Sequence, residues 1–287
     1  MRVFVGLGEG LGNVLMGVPV IDSLEAAGHE VTLGLRTTPP GMGADLGLLI
    51  ARGRKVCLMV DEAWPAEPFD AACLTWWWLS RGGEMPPARD TFLGPAMRDD
   101  VPEILQNLDT VTDLVPEALR TSSVSIHHVL SAIDGEGPVI AIHPGCKPAW
   151  RDRKLYPRWA EVVTHLKRMG AAVVVVGGAD DADIFCGEPH EDLREQGASL
   201  ETTAAVLASC DAVLSGDSGV HHMAVALGLP AVAVFGATSH VKAHHPSPRG
   251  PKPVVLGPFP DAQALARVHP QVIARAALRA ASSSISA

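Results

Sequence analysis

The stretch of residues 211–238 constrains the fold more than any other part of the chain. A short apolar run, 212–215, has the composition of a buried parallel strand and ends in the polar turn Gly-Asp-Ser-Gly at 216–219. A helical segment, 222–227, then stops at glycine and proline before a second apolar run, 231–235. This order of strand, turn, helix and strand predicts an open α/β sheet, in which ligands bind beyond the carboxyl ends of the strands.

The turn inside this stretch is dense in polar side chains for a segment between two apolar strands. These side chains are Asp217, Ser218, His221 and His222. A helix N-terminus at this place favours an anion, because its first N–H groups lack partners inside the helix. The alternative interpretation is an ordinary α/β turn in which Asp217 or Ser218 caps the helix.

The same stretch resembles the signature of glycosyltransferase family 9, the ADP-heptose heptosyltransferases. The residues that carry the resemblance are Asp217, Ser218, Gly219, His222, Ala224, Ala226, Pro230, Phe235, Gly236 and Thr238. The resemblance implies an α/β fold of the GT-B class, with two Rossmann-like domains facing across a cleft. It also implies that the C-terminal domain binds most of the nucleotide-sugar.

The resemblance and a linker-like stretch, Asp-Gly-Glu-Gly-Pro at 134–138, together suggest a domain division. We expect residues 1–135 to form an N-terminal, acceptor-binding Rossmann-like domain. Residues 139–265 would form the nucleotide-sugar-binding domain, and 266–287 a C-terminal helix and tail. The length of 287 residues suits one large or two medium domains.

The cysteine pattern and the hydropathy of the chain indicate the cellular compartment of the protein. The five cysteines, at positions 57, 73, 146, 186 and 210, form no C-x-x-C pair, which argues against a disulfide framework and fits a reducing compartment. Glycine and glutamate interrupt the N-terminus too early for a signal peptide, and no apolar run is long enough to span a bilayer. These features predict a soluble, cytoplasmic protein without stable membrane insertion.

Charge is distributed unevenly along the chain. Residues 1–136 carry 9 Lys and Arg against 19 Asp and Glu, whereas 137–287 carry 14 against 13. An acidic first half disfavours nucleic acid, anionic membranes and phosphorylated acceptors, and it suits a neutral or cationic acceptor. The alternative is that the acidic residues only keep the protein soluble.

The N-terminal strand, 2–5, runs into a glycine-rich loop at 6–12. The glycines lack the G-x-G-x-x-G spacing of a dinucleotide site, so an NADP-dependent oxidoreductase remains only an alternative. The resemblance implies a loop of the form L-G-D here, whose Asp is the base that activates the acceptor hydroxyl. This chain has Leu11-Gly12-Asn13 instead.

The change from Asp to Asn13 affects the predicted catalytic chemistry. An amide cannot accept a proton at neutral pH, although it could orient the acceptor by hydrogen bonding. Glu9, in the same loop, is our replacement candidate for the base. Two alternatives stay open: Glu9 is a solvated loop carboxylate, or no strong base is needed because the acceptor is an amine or its proton leaves late.

Three consecutive tryptophans, at 76–78, stand at the end of a strand-like run at 70–76. Three neighbouring side chains on a strand cannot all point one way, and flat aromatic faces suit sugar rings, so we expect Trp76 and Trp77 to bind the acceptor. The alternative is that the tryptophans fill the core and the interface between the domains. The loop-rich residues 80–100 could form a mobile acceptor lid.

The second half restarts with a strand at 139–142, followed by His143, Pro144, Gly145 and Cys146. The resemblance implies a K-x-[WY]-P motif at Lys154, Tyr156 and Pro157. It places the Lys154 ammonium at the leaving diphosphate, which GT-B enzymes stabilise without a metal.

The resemblance also implies an acidic residue that meets the ribose, here Asp180 or Asp183, and a segment near the adenine that begins at Leu200. Asp181 and Asp183 superficially match a metal-binding D-x-D pair, but helix capping is the commoner explanation. The histidine pairs have no ligand-type spacing, so no metal site is predicted. The predicted donor-binding residues are His143, Pro144, Gly145, Cys146, Lys154, Gly178, Asp180, Leu200, Asp217, Ser218, Gly219 and His222.

These features predict a metal-independent glycosyltransferase that uses an ADP-sugar as donor substrate and needs no cofactor. Glu9, Asn13 and Lys154 are its predicted catalytic residues. It would transfer a heptose or related sugar to a small neutral or cationic molecule of secondary metabolism, such as an aminocyclitol, amino sugar or nucleoside. The alternatives are a lipopolysaccharide inner-core heptosyltransferase and, because of Asn13, a non-catalytic nucleotide-sugar binding protein.

Overall fold

A computed structural model describes residues 1–35, 50, 55–58, 64, 67–80, 82–124, 137–194, 198–246, 248 and 250–284. The chain divides into two compact units. The first unit comprises Met1–His127 and Val241–Ser247, and the second comprises His128–His240 and Pro248–Ala287.

The first unit is built on a parallel five-stranded sheet in the order β3-β2-β1-β4-β5. Its strands are β1 (Arg2–Gly6), β2 (Glu30–Leu35), β3 (Lys55–Leu58), β4 (Phe69–Leu74) and β5 (Ala88–Leu93). The helices that lie fully within its described residues are α1 (Leu11–Ala26), α2 (Trp76–Ser80) and α3 (Glu103–Leu108), with short 3-10 turns at Asp109–Val111 and Glu117–Leu119. The central strand β1 is apolar because it is covered on both faces.

Two sequence expectations for the first unit are wrong. Trp76 was expected in a strand, but β4 ends at Leu74 and the tryptophans form the short helix α2. Residues 80–100 were expected to form a loop-rich lid, but they contain β5, which pairs with β4. Most side chains of this edge strand are exposed, so it lacks the apolar alternation by which strands are recognised.

The Val241–Ser247 segment belongs to the first unit although it lies between two stretches of the second in the sequence. Its carbonyl at Lys242 accepts a hydrogen bond of 2.9 Å from the N–H of Glu103. The Lys242 ammonium also lies 4.8 Å from the ring centroid of Trp77. A division into continuous stretches cannot represent such a return, and the boundaries 1–135 and 139–265 stay a prediction, with 134–136 outside the described residues.

The second unit is built on a parallel six-stranded sheet in the order β11-β10-β9-β6-β7-β8. Its strands are β6 (Val139–His143), β7 (Ala172–Val175), β8 (Glu191–Asp192), β9 (Ala212–Gly216), β10 (Ala231–Val234) and β11 (Val254–Leu256). Its helices are α4 (Arg151–Lys154), α5 (Trp159–Arg168), α6 (Leu200–Ala208), α7 (Gly219–Ala226), α8 (Ala262–Ala266) and α9 (Pro270–Ser284).

The core of the second unit lies between this sheet and the helices α5 and α9. On α5 the buried side chains recur with the spacing of one helical face, at Trp159, Val162, Val163 and Leu166. The opposing face of α9 is mostly alanine, which permits close helix packing. Pro270 is the first residue of α9, where its missing N–H costs nothing.

Burial explains the chemistry of the cysteines that the structure describes. Cys73, Cys146, Cys186 and Cys210 are free and buried. Desolvation raises the pKa of Cys73 and of Cys210 to about 12, so both thiols stay protonated and act as packing groups. Within the described ranges, no helix has the length and apolar character needed to cross a bilayer.

Candidate functional site

The donor-site candidates lie in turns after neighbouring strands of the second sheet. Strands β7, β6, β9 and β10 are adjacent and parallel, so their carboxyl ends meet at one edge. His143, the last residue of β6, pairs in register with Ser215 of β9, one residue before the turn that carries Asp217. Crevices at such edges are the usual ligand sites of open α/β sheets.

Three segments of the chain meet at the Asp217 carboxylate. The Lys154 ammonium lies 2.7 Å from Asp217 Oδ2, and the two side chains are only 21% and 11% exposed. Thr238 Oγ1 donates to the same oxygen at 2.7 Å. An ammonium has three donors, so Lys154 can keep this ion pair and still donate to a phosphate oxygen. The ring centroid of Trp150 lies 5.6 Å from the ammonium, within the range of a cation–π contact.

Gly236 sets the position of the Lys154 backbone. A Cβ at Gly236 would lie 1.8 Å from the carbonyl oxygen of Arg153, and the same oxygen accepts a hydrogen bond from the N–H of Ala237 at 3.1 Å. Only glycine permits this approach, which brings the turn after β10 against the end of α4. Gly236 belongs to the resemblance noted in the sequence, and its contact explains why a side chain is missing there.

Replacing Gly236 with alanine is therefore expected to destabilise the second unit by about 1–3 kcal/mol, because the Arg153 backbone must move. Differential scanning calorimetry measures the change in Tm. Gly216→Ala is the matched control, since a Cβ there meets its nearest atoms at an ordinary 3.8 Å. Equal Tm values for the two variants would contradict the contact.

A chain of hydrogen bonds connects three turns at the same edge. Ser218 Oγ lies 3.0 Å from His143 Nδ1, and His143 Nε2 lies 3.3 Å from Asp181 Oδ2. The Gly178 N–H donates to the same oxygen of Asp181 at 3.1 Å. Burial would raise the pKa of Asp181, but the hydrogen bond from His143 and the Gly178 N–H outweigh burial, and the pKa lies below its usual range.

The contact of Asp181 with His143 was not predicted from the sequence. The sequence suggested helix capping, and Asp181 does cap the Gly178 N–H. Its contact with His143 joins residues far apart in the chain and has no local signal. Gly145 also approaches this carboxylate closely, since a Cβ there would lie 1.7 Å from Asp181 Oδ1.

Arg151 is engaged with the turn after β7. Its guanidinium donates to both carboxylate oxygens of Asp183, at 2.6 and 2.9 Å, and to the backbone carbonyl of Asp180. The hydrogen bond from Arg151 lowers the pKa of Asp183, so the pair stays charged. Asp183 is thus occupied, while the exposed side chain of Asp180 remains the candidate for the ribose.

The histidines of α7 are more buried than a ligand-facing turn would suggest. The helix begins at Gly219, three residues before the expected start, so His221 and His222 lie in its first turn. Burial lowers the pKa of His221 to about 4, against the charge of Asp217, and this imidazole is neutral at physiological pH. His222 is also buried, with its ring centroid 5.4 Å from that of His221.

The remaining donor-site candidates occupy the expected turns. Pro144 and Cys146 follow β6 and are buried; desolvation raises the pKa of the Cys146 thiol to about 11. Leu200 is the first residue of α6, whose N-cap is Ser199. Among the described side chains, no group of three or more His, Cys, Asp and Glu is placed to hold a metal ion.

The structure brings Trp77 to the glycine-rich loop of the first unit. A Cβ at Gly8 would lie 2.3 Å from Trp77 Cβ, so the loop packs directly on this residue. Trp77 Nε1 donates to the buried carboxylate of Glu103 at 2.8 Å. Asn13 Nδ2 donates to the backbone carbonyl of Glu9 at 3.2 Å, which ties the two candidates of this loop together.

The three tryptophans have separate environments. Trp78 is fully buried in a cluster with Phe4 and Phe69, as the core-filling alternative predicted. Trp76 and Trp77 are half-buried and make an edge-to-face contact with centroids 4.8 Å apart. Their role at an acceptor stays a prediction.

Comparison with known proteins identifies the family. The sequence profile of glycosyltransferase family 9 (heptosyltransferase) matches residues 103–264, more than half of the chain. The chain belongs to this family. The NADP-dependent oxidoreductase alternative is thereby removed.

Curated relatives of this family 9 chain match it over part of their length. Lipooligosaccharide heptosyltransferase 2 of Haemophilus influenzae is 29% identical over 152 residues, which cover 49% of this chain and 42% of the relative. Lipopolysaccharide heptosyltransferase 2 of Salmonella typhimurium is 29% identical over 117 residues, 38% of this chain and 34% of the relative. The matched part thus spans less than half of each relative.

Solved structures show that the family 9 fold extends over the whole chain. E. coli ADP-heptose lps heptosyltransferase II aligns with a TM-score of 0.75 at 17% identity, over 99% of this chain and 100% of that one. A family 9 glycosyl transferase from Veillonella parvula aligns with a TM-score of 0.71 at 15% identity, over 98% and 97%. The predicted α/β fold of the GT-B class is confirmed.

Proposed function

We propose that this protein transfers a heptose from ADP-heptose to a saccharide acceptor of the lipopolysaccharide inner core. The observation that carries the proposal is the cluster of Lys154, Asp217 and Thr238, in which residues of the family signature meet at one strand edge. The names of the related proteins support both the donor and the acceptor class.

The donor diphosphate would lie at the Lys154 ammonium and the N-terminus of α7. Lys154 supplies a fixed positive charge. Its stabilising effect increases as negative charge develops on the leaving diphosphate. Ser218 and Gly219, at the start of the eight-residue helix α7, supply a hydroxyl and free N–H groups for the phosphate oxygens. These groups neutralise developing charge by themselves, so the proposal includes no metal.

The acceptor assignment replaces the one that the charge distribution suggested. The comparisons do not support a small neutral or cationic acceptor of secondary metabolism, and the lipopolysaccharide alternative fits the relatives better. The net charge of the first half is a sum over the whole unit, so it does not describe the charge at one binding site. Beyond about 8 Å, exposed charges are screened at physiological salt.

The reaction requires a proton acceptor for the attacking hydroxyl. In the proposed step, the acceptor oxygen bonds to C1 of the heptose, the bond from C1 to the diphosphate oxygen breaks, and ADP leaves. The hydroxyl proton passes to the Glu9 carboxylate. The Asn13 amide, which donates to the backbone carbonyl of Glu9, orients the acceptor. A saccharide hydroxyl is a weak acid, which disfavours the alternative that no base is needed.

A transfer assay tests this proposal. The protein is incubated with ADP-heptose and, separately, with a heptose-deficient inner-core saccharide or an aminocyclitol, and products are analysed by mass spectrometry. We expect one heptose to be added to the inner-core saccharide only. Transfer to the aminocyclitol alone would overturn the acceptor, and ADP-heptose binding without ADP release in the presence of either acceptor would favour the non-catalytic alternative.

A further inference from the structure

The hydrogen-bond chain from Asp181 through His143 to Ser218 ends at the proposed diphosphate site. The side chains of His143 and Asp181 are only 9% and 10% exposed, whereas Ser218 is half-buried before the first turn of α7. The chain therefore joins a buried carboxylate to a hydroxyl that a ligand can reach. Each hydrogen bond in it has a direction, and the direction is set by the location of protons.

The buried end of the chain fixes the tautomer of His143. Asp181 Oδ2 already accepts the Gly178 N–H, and the pKa of Asp181 lies below its usual range, so this carboxylate is ionised and only accepts. Nε2 of His143 must therefore carry a hydrogen. The state of Nδ1 is then the variable, and it decides which way the bond to Ser218 runs.

Neutral His143 turns the Ser218 hydroxyl away from an anion. Nδ1 then has no hydrogen, so Ser218 donates inward to it, and the outward face of the oxygen carries lone pairs. When His143 is protonated, Nδ1–H donates to Ser218 Oγ. The hydroxyl hydrogen is then free to donate to a phosphate oxygen, and a positive charge lies behind it.

We propose that Asp181 and His143 are positioning residues that couple binding of the donor diphosphate at Ser218 to uptake of one proton by His143. This inference rests on the proposed function, because it requires an anionic ligand at this edge. The proton stays on the imidazole in the bound state, and no covalent bond changes. Asp181 stabilises the imidazolium, and Ser218 transmits its presence to the ligand.

Other charged or titratable side chains surround this hydrogen-bond chain. They are Lys154, Arg151, Arg194, Asp217, Cys146, His221 and His222. The guanidinium groups remain charged and the Cys146 thiol, with a pKa of about 11, remains protonated. His221, with a pKa of about 4, remains neutral. The variants described below test whether the bound proton is on His143 or on another of these groups.

Calorimetric titration with ADP-heptose between about pH 6 and about pH 8 tests the coupling, since histidine changes charge in this range. Both phosphates of ADP-heptose are fully ionised there, so the ligand itself takes up no proton. Repeating the titration in buffers of different ionisation enthalpy counts the protons bound. We expect uptake that approaches one proton, with binding strongest at low pH and weakening by up to about tenfold per pH unit as pH rises.

Two variants connect the proton to this chain. His143→Gln keeps an amide near Asp181 and Ser218 but cannot titrate, so proton uptake should vanish and the affinity should become independent of pH. Ser218→Ala keeps His143 but removes its link to the ligand, and uptake should fall in the same way. His165→Gln, at a partly exposed position of α5, is the matched control and should behave as wild type.

The outcomes separate this inference from the proposed function. ADP-heptose binding with no proton uptake, or with uptake unchanged in both variants, would overturn the coupling alone. Failure of the wild-type protein to bind ADP-heptose at any pH would overturn the coupling and the proposed donor together. A His143→Gln variant that does not fold leaves the Ser218→Ala titration to decide.

Discussion

Replacing Glu9 with glutamine is expected to lower kcat for heptose transfer by about 10²- to 10⁴-fold, the usual contribution of a general base. The family places an Asp at the position of Asn13, and an amide cannot take the acceptor proton. Glu9 is the carboxylate of the same loop, and the Asn13 amide holds its backbone at 3.2 Å. The measurement is the initial rate of ADP release with saturating ADP-heptose and acceptor. The affinity for ADP-heptose should stay unchanged.

A rescue experiment makes this prediction specific. Asn13→Asp restores a carboxylate to the family position, so the double variant Glu9→Gln, Asn13→Asp should recover most of the lost rate. Glu30→Gln is the control for loss of an acidic charge, because Glu30 is an exposed carboxylate of the same unit. A Glu9→Gln variant with wild-type kcat would show that another group accepts the proton or that the proton leaves late.

Replacing Lys154 with alanine is expected to lower kcat/KM for ADP-heptose by about 10²- to 10³-fold, as loss of a preorganised electrostatic group does. The ammonium is held by Asp217 at 2.7 Å and by the Trp150 ring, so its charge is in place before the reaction begins. Lys154→Arg should recover only part of the loss, because a planar guanidinium replaces a point charge. Steady-state kinetics at a fixed acceptor concentration measure the change.

Lys167→Ala is the matched control for Lys154→Ala. Lys167 lies on α5, where its ammonium donates to the backbone carbonyl of Glu188 at an exposed position. This variant should keep the wild-type kcat/KM. Unchanged kcat/KM in Lys154→Ala would remove the proposed role of Lys154 at the diphosphate.

The order of strands and helices in the second unit was predictable because its sheet is parallel and covered on both faces. Each central strand is a continuous apolar run, and each turn after it is polar or rich in glycine, which places boundaries within a few residues. The start of α7 was placed too late, since Gly219 and Val220 carry no helical signal of their own.

The first unit was less predictable for two physical reasons. Its edge strand β5 exposes most side chains and so carries no apolar pattern. The apolar residues Trp76, Trp77 and Trp78 suit a strand as well as a helix, and the structure places them in the short helix α2. The return of the Val241–Ser247 segment to this unit depends on contacts such as Lys242 with Glu103, which no local pattern encodes.

Some residues of the candidate site could be predicted from the sequence and others could not. Lys154, Asp217 and Ser218 were identified because family residues stand at fixed spacing. Thr238 carried the resemblance without an assigned role, and its bond to Asp217 crosses 21 positions of the chain. Asp181 was read as a cap because its contact with His143 depends on how β6 and β7 pair.

Calorimetric titration of the wild-type protein with ADP, UDP and GDP, without added metal, tests the central claim most directly. The family assignment predicts that ADP binds at least about tenfold more tightly than UDP or GDP, a difference of about 1.4 kcal/mol. Tighter binding of UDP or GDP, or binding of none of the three, would contradict an ADP-sugar as the donor.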